Sequence, residues 1–331
     1  MTDHPHRRQV LGGAALVGMA ALAPQVSAQA AATQALKGKS ILITGAATGF
    51  GYLGALHYAR AGAKVFATMR NLPRPQAAEL LKAAEAEKLD ISVLELDVLS
   101  DSMVAQAVSQ AETQAGGALD VIINNAGIGI TGPIELQDME ATRLIFDTNV
   151  FGAQRVARAA LPAMRKAKRG LIIAISSQLG RVIVPNGGHY SATKFALEAM
   201  NEQMAYELVP HGIDVTIIEP GGYPTDVWRN RNRYTGELKA RIDAERAAGY
   251  PAVVSRMGME DGSGRSADPM DVPRAIADII ALPAGQRPLR RAVHPGPKPQ
   301  EAINEVAAKV QVQMLGNSPY GPWVKAVHDI G

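Results

Sequence analysis

The sequence predicts a single α/β domain: a doubly wound parallel sheet with helices on both faces. Six short apolar runs alternate with longer segments of helical length between residues 40 and 218. The runs are apolar throughout, so both faces of each strand must be covered, which is typical of a parallel sheet between two helical layers. No linker-like stretch interrupts the alternation, and this favours one domain.

Each apolar run has the composition of a buried strand and is followed by a polar or turn-forming residue. The first, Ser40–Thr44, ends at a glycine loop. The other five are Lys64–Met69, Ile91–Leu96, Val121–Asn124, Leu171–Ser176 and Val215–Ile218. Between the strands, segments such as Asp101–Gln114 and Ala141–Lys166 have the length and composition of helices.

The character of the chain changes after Gly221. Residues 223–270 are rich in Arg, Gly, Asp and Pro and contain no strong strand, which predicts a helical or mobile lid rather than a second domain. Asp271–Leu282 is helical again, and Leu289–Val293 is a candidate edge strand. We therefore place the main domain at 38–295 and a C-terminal helical extension, whose role the sequence does not assign, at 296–331.

Composition excludes several classes of function. Hydrophobic residues make up 47% and charged residues 20% of the 331 residues, as expected for a protein with a sizeable core. A net charge of +3 and an aromatic content of 5% argue against a nucleic-acid partner. The absence of cysteine excludes disulfides, thiolate nucleophiles and cysteine-ligated zinc. The seven histidines show no metal-ligand spacing, so we expect no metal site.

The first 28 residues have the three-part layout of an export signal. Arg7 and Arg8 precede an apolar stretch, Val10–Ala23, and Val26–Ala28 fits a small-residue cleavage site. The paired arginines favour the twin-arginine route and hence a periplasmic protein. The stretch is too short and too rich in Ala and Gly for a membrane span, so none is expected after cleavage. The alternative is a disordered tail on a cytoplasmic protein.

A glycine-rich loop follows the first predicted strand and leads into a helix. Residues 44–51 are TGAATGFG, with the spacing Gly-x-x-x-Gly-x-Gly. Glycines allow the backbone to turn tightly and approach a pyrophosphate, whose charge is met by the helix N-terminus. This pattern predicts a Rossmann-type dinucleotide site. Its contacts are expected at Gly45, Thr48, Gly49, Phe50 and Gly51.

This spacing and five further elements resemble the short-chain dehydrogenase/reductase family, and together they cover roughly residues 38–295. In chain order, the five are Asn124-Asn125-Ala126-Gly127 after the fourth strand, Asn149 within TNVFG, Ser177 at the end of the fifth strand, Tyr190-x-x-x-Lys194, and Pro220-Gly221 with Thr225. The resemblance implies a catalytic set of Asn149, Ser177, Tyr190 and Lys194. It also implies cofactor contacts at Asn124, Ala126, Gly127, Tyr190, Lys194, Pro220, Gly221 and Thr225.

The chemistry of these side chains agrees with the resemblance. Tyr190 and Lys194 are four residues apart on a predicted helix and share one face. A tyrosine pKa near ~10 is high for proton exchange at neutral pH, and we expect the Lys194 ammonium to lower it. Ser177 is expected to donate a hydrogen bond to the substrate oxygen. The family implies that Asn149 holds a water that relays the proton from Lys194.

The end of the second strand predicts the cofactor. An acidic residue there selects NAD by binding the ribose hydroxyls, whereas an arginine accommodates the extra phosphate of NADP. This chain has Met69 at that position and Arg70 next to it, so NADP(H) is favoured. The resemblance also implies an adenine contact at Asp97 and Val98 after the third strand.

The sequence leaves several alternatives open. Taken singly, Tyr190 and Lys194 are ordinary helix-surface residues and Ser177 is an ordinary cap; their joint occurrence favours catalysis. An extended-type epimerase or dehydratase would need glycine where Thr48 stands. A non-catalytic NADP-binding sensor or scaffold is the alternative from another class.

The substrate is a small-molecule carbonyl or alcohol, and residues 65–71 resemble the steroid and retinoid branch. The family implies a homodimer or homotetramer.

The lid contains three alternate arginines, Arg229, Arg231 and Arg233. They would suit an acidic substrate, but a solvated loop is the favoured interpretation.

Overall fold

The computed structural model describes residues 34–328, so the predicted export signal at 1–28 lies outside the described residues. Seven parallel strands form one sheet in the order β3-β2-β1-β4-β5-β6-β7. The fold class is confirmed: this is a doubly wound Rossmann-type sheet. The strands are β1 (Ser40–Ile43), β2 (Lys64–Met69), β3 (Ile91–Glu95), β4 (Val121–Asn124), β5 (Gly170–Ile175), β6 (Ile213–Pro220) and β7 (Arg290–Val293).

The helices follow the strands in the expected alternation. They are α1 (Gly49–Arg60), α2 (Pro75–Glu87), α3 (Asp101–Ala115), α4 (Met139–Phe146), α5 (Gly152–Ala167), α6 (Tyr190–Leu208), α7 (Val227–Lys239), α8 (Ala244–Gly249), α9 (Pro251–Arg256), α10 (Asp271–Ala281), α11 (Gln300–Leu315) and α12 (Gly321–His328). Helices α7 to α9 occupy the segment expected to be a lid. The helical extension after β7 consists of α11 and α12.

The core lies in two layers, one on each face of the sheet. In β1, Ile41 and Ile43 pack towards α1, α2 and α10, whereas Leu42 packs towards α3, α5 and α6. All three side chains are buried. This two-sided burial explains why the strands are apolar throughout, since alternate residues face two different helical layers.

The segment predicted as one helix over Ala141–Lys166 is interrupted. Between α4 and α5, Asp147–Phe151 form a π-helical turn. A π-helical turn adds a residue to one turn of helix and is often found at functional sites. Here the turn contains Asn149, which is 2% exposed.

The C-terminal extension covers a buried cluster of charges beside β7. Arg290 lies on β7, and its Nε donates to Glu198 at 2.8 Å while its Nη2 donates to Glu202 at 2.6 Å. Glu219, on β6, has a carboxylate oxygen 3.6 Å from the same Nε. Asn304 of α11 donates to the other Glu219 oxygen at 2.7 Å. The extension therefore supplies a partner to a carboxylate that is 0% exposed.

This cluster holds three carboxylates around one guanidinium. Burial and the neighbouring Glu198 raise the pKa of Glu219 to about 8, so it is protonated at neutral pH. Glu202 behaves in the opposite way, because His328, Tyr206 and Arg290 bind its carboxylate and lower its pKa despite burial. Between residues 34 and 328, no helix is both long and apolar enough to cross a membrane.

Candidate active site

The glycine loop after β1 is packed too tightly for side chains at two of its three glycines. A methyl group at Gly51 would lie 2.5 Å from the Gly45 carbonyl oxygen and 2.6 Å from Asn125 Nδ2. Gly45 has a φ of +69°, which favours glycine, and a methyl group there would lie 3.0 Å from Ala126 Cα. The loop thus presents bare backbone at the carboxyl edge of the sheet.

Helix α1 begins within this glycine-rich segment, at Gly49. Thr48 is the N-cap residue, and its side chain makes no capping hydrogen bond. A helix N-terminus with free N–H groups attracts anions. The loop and the helix end therefore fit the pyrophosphate of a dinucleotide.

A second loop, after β4, is tied to the first by hydrogen bonds. The Thr44 hydroxyl accepts from the backbone N–H groups of Asn125 and Ala126, each at 3.0 Å. The Asn125 amide in turn donates to the Thr44 and Gly45 carbonyl oxygens, at 2.8 Å and 3.1 Å. These bonds fix the spacing of the two loops that face the cleft.

Asn149 joins the β4 loop to helix α6. Its Oδ1 accepts from the Ile128 N–H at 2.8 Å, and its Nδ2 donates to the Ile128 carbonyl at 2.9 Å. Nδ2 also donates to the Thr193 hydroxyl at 3.0 Å. The Asn149 side chain thus positions the residues beside Tyr190 and Lys194. Its expected role in holding a relay water stays a prediction.

Ser177, Tyr190 and Lys194 meet at the end of β5 and the start of α6. Tyr190 is the first residue of α6, and Lys194 follows one turn later. Lys194 Nζ lies 5.6 Å from the centre of the Tyr190 ring and donates to the Ile175 carbonyl at 2.8 Å. The Ser177 hydroxyl caps the following turn by accepting from the Leu179 N–H at 3.1 Å. Its capping and catalytic interpretations are therefore compatible.

These side chains open onto one cleft with a volume of about 320 Å³. Most of the predicted site residues line it: Gly45, Thr48, Gly49, Phe50, Arg70, Asp97, Val98, Ala126, Gly127, Ser177, Tyr190, Lys194, Pro220, Gly221 and Thr225. Three predicted residues, Gly51, Asn124 and Asn149, do not line it. Gly51 packs against the loop backbone, and Asn124 is 5% exposed with no hydrogen-bond partner for its amide within residues 34–328.

Comparison with known proteins identifies the family. The short chain dehydrogenase profile matches residues 39–235. This protein belongs to that family. Retinol dehydrogenase 8 from Homo sapiens is 34% identical over 270 residues, which cover 76% of this chain and 80% of the relative.

Two solved structures extend the comparison. A short-chain dehydrogenase from Streptomyces avermitilis has a TM-score of 0.62 and 27% identity, covering 82% of this chain and 96% of the other. A gluconate 5-dehydrogenase from Burkholderia cenocepacia, in complex with NADP and tartrate, has a TM-score of 0.56 and 29% identity. This match covers 60% of this chain and 77% of the other. The chain is thus an oxidoreductase of the short-chain dehydrogenase family, and the comparisons support a nicotinamide cofactor.

The electrostatics of the family's tyrosine differ from the sequence-based expectation. Burial raises the pKa of Tyr190, while a side-chain hydrogen bond with Ser177 and the charge of Arg231 lower it. Burial outweighs these effects, so the pKa of Tyr190 is raised rather than lowered, and the charge that lowers it is that of Arg231. The expected effect of Lys194 on this pKa stays a prediction. Burial also lowers the pKa of Lys194, to about 8, against an opposing effect of Glu198. Tyr190 is therefore protonated at neutral pH.

The part of the cleft around Arg70 contains residues that the motifs did not identify. Arg74 and Gln76 line the cleft together with Arg70. Arg74 donates to the Arg70 carbonyl at 3.3 Å and to Gln76 at 3.0 Å. The Arg70 guanidinium donates to the Tyr234 hydroxyl of α7 at 2.8 Å. In the sequence, the only sign of this second arginine is that Arg74 follows Arg70 by four residues. The path of the loop is what brings its side chain to the cleft.

The three alternate arginines at the start of the lid differ in exposure. The side chains of Arg229 and Arg233 are 71% and 52% exposed, which agrees with a solvated face. The side chain of Arg231 is only 17% exposed. For the part of the chain that the structure covers, no group of His, Cys, Asp and Glu is placed to hold a metal ion.

Proposed function

We propose that this protein is an NADP(H)-dependent oxidoreductase that interconverts a carbonyl and a secondary alcohol, with Tyr190 as the general acid/base. The observation that carries the proposal is the single cleft that joins Ser177, Tyr190 and Lys194 to the glycine loop and to Arg70. A non-catalytic sensor would need the glycine loop and Arg70 but not the three catalytic side chains.

The residues would act together on the substrate oxygen. Ser177 donates a hydrogen bond to that oxygen and holds it beside the Tyr190 hydroxyl. When bound, the nicotinamide supplies or accepts the hydride. In reduction, Tyr190 gives its proton to the oxygen as negative charge develops there. Lys194 holds a proton near the phenolate that results, and Asn149 keeps the β4 loop in place against α6.

NADP(H) is proposed over NAD(H) from the chemistry at the adenosine end. Arg70 and Arg74 place two guanidinium groups at the wall of the cleft. Met69 has no carboxylate to accept bonds from ribose hydroxyls. Guanidinium groups match the geometry and charge of a phosphate.

For the substrate, we propose a large apolar carbonyl or alcohol. Val227, which lines the cleft, is an apolar residue that is 42% exposed. Exposed apolar side chains beside a cleft favour an apolar ligand. The resemblance to the steroid and retinoid branch and the similarity to a retinol dehydrogenase agree with this choice.

The test is oxidation of NADPH by the purified protein with aldehydes, ketones, steroids, retinoids and quinones, repeated with NADH. We expect turnover with apolar carbonyls that NADH supports poorly. Tight binding of NADPH without turnover of any compound would contradict the proposal and favour the sensor.

We also propose that residues 1–28 direct export by the twin-arginine route, on the sequence pattern alone. Replacing Arg7 and Arg8 with lysine is expected to retain the protein in the cytoplasm, as measured by cell fractionation. Unchanged periplasmic recovery, or a cytoplasmic wild type, would contradict this.

A further inference from the structure

Tyr234 connects the lid to Arg70, the arginine that directly follows β2. The Arg70 Nη2 donates a hydrogen bond to the Tyr234 hydroxyl oxygen at 2.8 Å, and the two residues are 164 positions apart in the chain. Both residues line the cleft. Helix α7 of the lid and the end of β2 therefore meet in one wall of the cleft, and a single side-chain hydrogen bond joins them.

The neighbours of Tyr234 fix the position of its side chain. Tyr234 is 6% exposed and belongs to an apolar cluster that includes Ile128 of the loop after β4. The next residue, Thr235, anchors α7 to that same loop, because its hydroxyl accepts from the Thr131 N–H at 3.1 Å. The guanidinium carbon of Arg233 lies 4.0 Å from the centre of the Tyr234 ring. The hydroxyl is thus held by the packing of α7 and does not depend on Arg70 for its place.

The hydrogen bond restrains the long side chain of Arg70. Within residues 34–328, it is the only hydrogen bond that the Arg70 guanidinium makes, so the other N–H groups are left for a ligand. Ordering a flexible side chain when a ligand binds costs conformational entropy. A guanidinium that is already ordered binds a phosphate at a smaller cost.

Arg74, the second arginine of this wall, is held in a different way. It donates to Gln76 at 3.0 Å and to the Arg70 carbonyl at 3.3 Å, and both partners belong to its own stretch of the chain. Of these two guanidinium groups, Arg70 is therefore the one that the lid restrains.

We propose that Tyr234 is a positioning residue that makes the cofactor site selective for NADP(H) over NAD(H), by holding the Arg70 guanidinium ready for the extra phosphate. This rests on the proposed use of NADP(H). NAD(H) lacks that phosphate, so its binding gains nothing from an ordered Arg70. Because Tyr234 lies on α7, recognition of the phosphate is linked to the position of the lid, and the linkage acts in both directions.

The test compares the dissociation constants of NADPH and NADH, measured by titrating the purified full chain without substrate. Tyr234→Phe removes the hydroxyl and keeps the ring and its packing. We expect it to weaken NADPH binding roughly 3- to 10-fold, the equivalent of one hydrogen bond, and to leave NADH binding unchanged. Tyr250→Phe is the matched control in the lid, since its hydroxyl donates to Glu135 at 2.8 Å and Tyr250 does not line the cleft. It should leave both constants unchanged.

The same substitution in an Arg70→Ala background separates positioning from direct contact with the cofactor. There Tyr234 has no guanidinium to hold, so Tyr234→Phe should cause no further loss of NADPH affinity. An equal loss in that background, or a loss for NADH as large as that for NADPH, would overturn the proposal.

The Arg70→Ala variant alone distinguishes this inference from the proposed function. If it weakens NADPH binding while Tyr234→Phe does not, the role of Tyr234 is wrong and the proposed use of NADP(H) stands. If Arg70→Ala leaves NADPH binding unchanged, the proposed phosphate site and the role of Tyr234 are both wrong.

Discussion

The contribution of the buried Glu219 carboxyl to the stability of this protein should fall as the pH rises. Its pKa is about 8 in the folded protein, against an ordinary value of 4.5. Between these values the folded state binds one proton more than the unfolded state, so the free energy of unfolding decreases with pH. One proton corresponds to at most ~1.4 kcal/mol per pH unit. Glu202, whose pKa is lowered, acts in the opposite direction but only below its ordinary value.

Glu219→Gln removes this proton while keeping an oxygen for the hydrogen bond from Asn304. We expect the free energy of unfolding of the variant, relative to that of the wild type, to increase by up to ~1.4 kcal/mol per pH unit between about pH 5 and pH 8. Urea unfolding at several pH values measures this difference. Glu207→Gln, on the exposed face of α6, is the control and should follow the wild-type curve. Parallel curves for Glu219→Gln and the wild type would refute the reasoning.

Three further variants test the cleft. Arg70→Ala should weaken NADPH binding roughly 10- to 100-fold, the equivalent of a charged hydrogen bond, and leave the affinity for NADH unchanged. Equal losses of affinity for the two cofactors in binding titrations would contradict the phosphate role. Gly51→Ala places a methyl group 2.5 Å from the Gly45 oxygen and should lower the free energy of unfolding, measured with urea, by ~1–3 kcal/mol. Gly236→Ala, which has open space around it, should not lower it, and equal stabilities of the two variants would be inconsistent with the packing. Asn149→Ala unpairs the Ile128 backbone and should cost ~1–3 kcal/mol and most of the activity; full retention of kcat/KM would exclude its positioning role.

Much of the fold follows from local patterns in the sequence. Strand β1 could be predicted because Ile41, Leu42 and Ile43 are all apolar, and two-sided burial in a parallel sheet requires that. The seven-strand order was not available from these patterns, since it depends on how the helical layers pack. The π-helical turn at Asp147–Phe151 was also missed, because hydrogen bonds of Asn149 to distant residues hold it.

In the candidate site too, some features could be predicted from local sequence patterns and others could not. Tyr190 and Lys194 could be predicted because their spacing on a helix is local. The packing of Arg231 against Gly129 could not, since Gly129 lies more than a hundred residues earlier in the chain. Glu219 likewise has nothing in its neighbourhood in the sequence to show that it faces Glu198 and Arg290.

The central claim, that Tyr190 exchanges the proton, is tested most directly by kcat/KM for NADPH-dependent reduction in the wild type and in Tyr190→Phe. The account predicts a fall of ~10²- to 10⁴-fold, the range for removal of a general acid, with NADPH affinity largely kept. Turnover by Tyr190→Phe at the wild-type rate would contradict it.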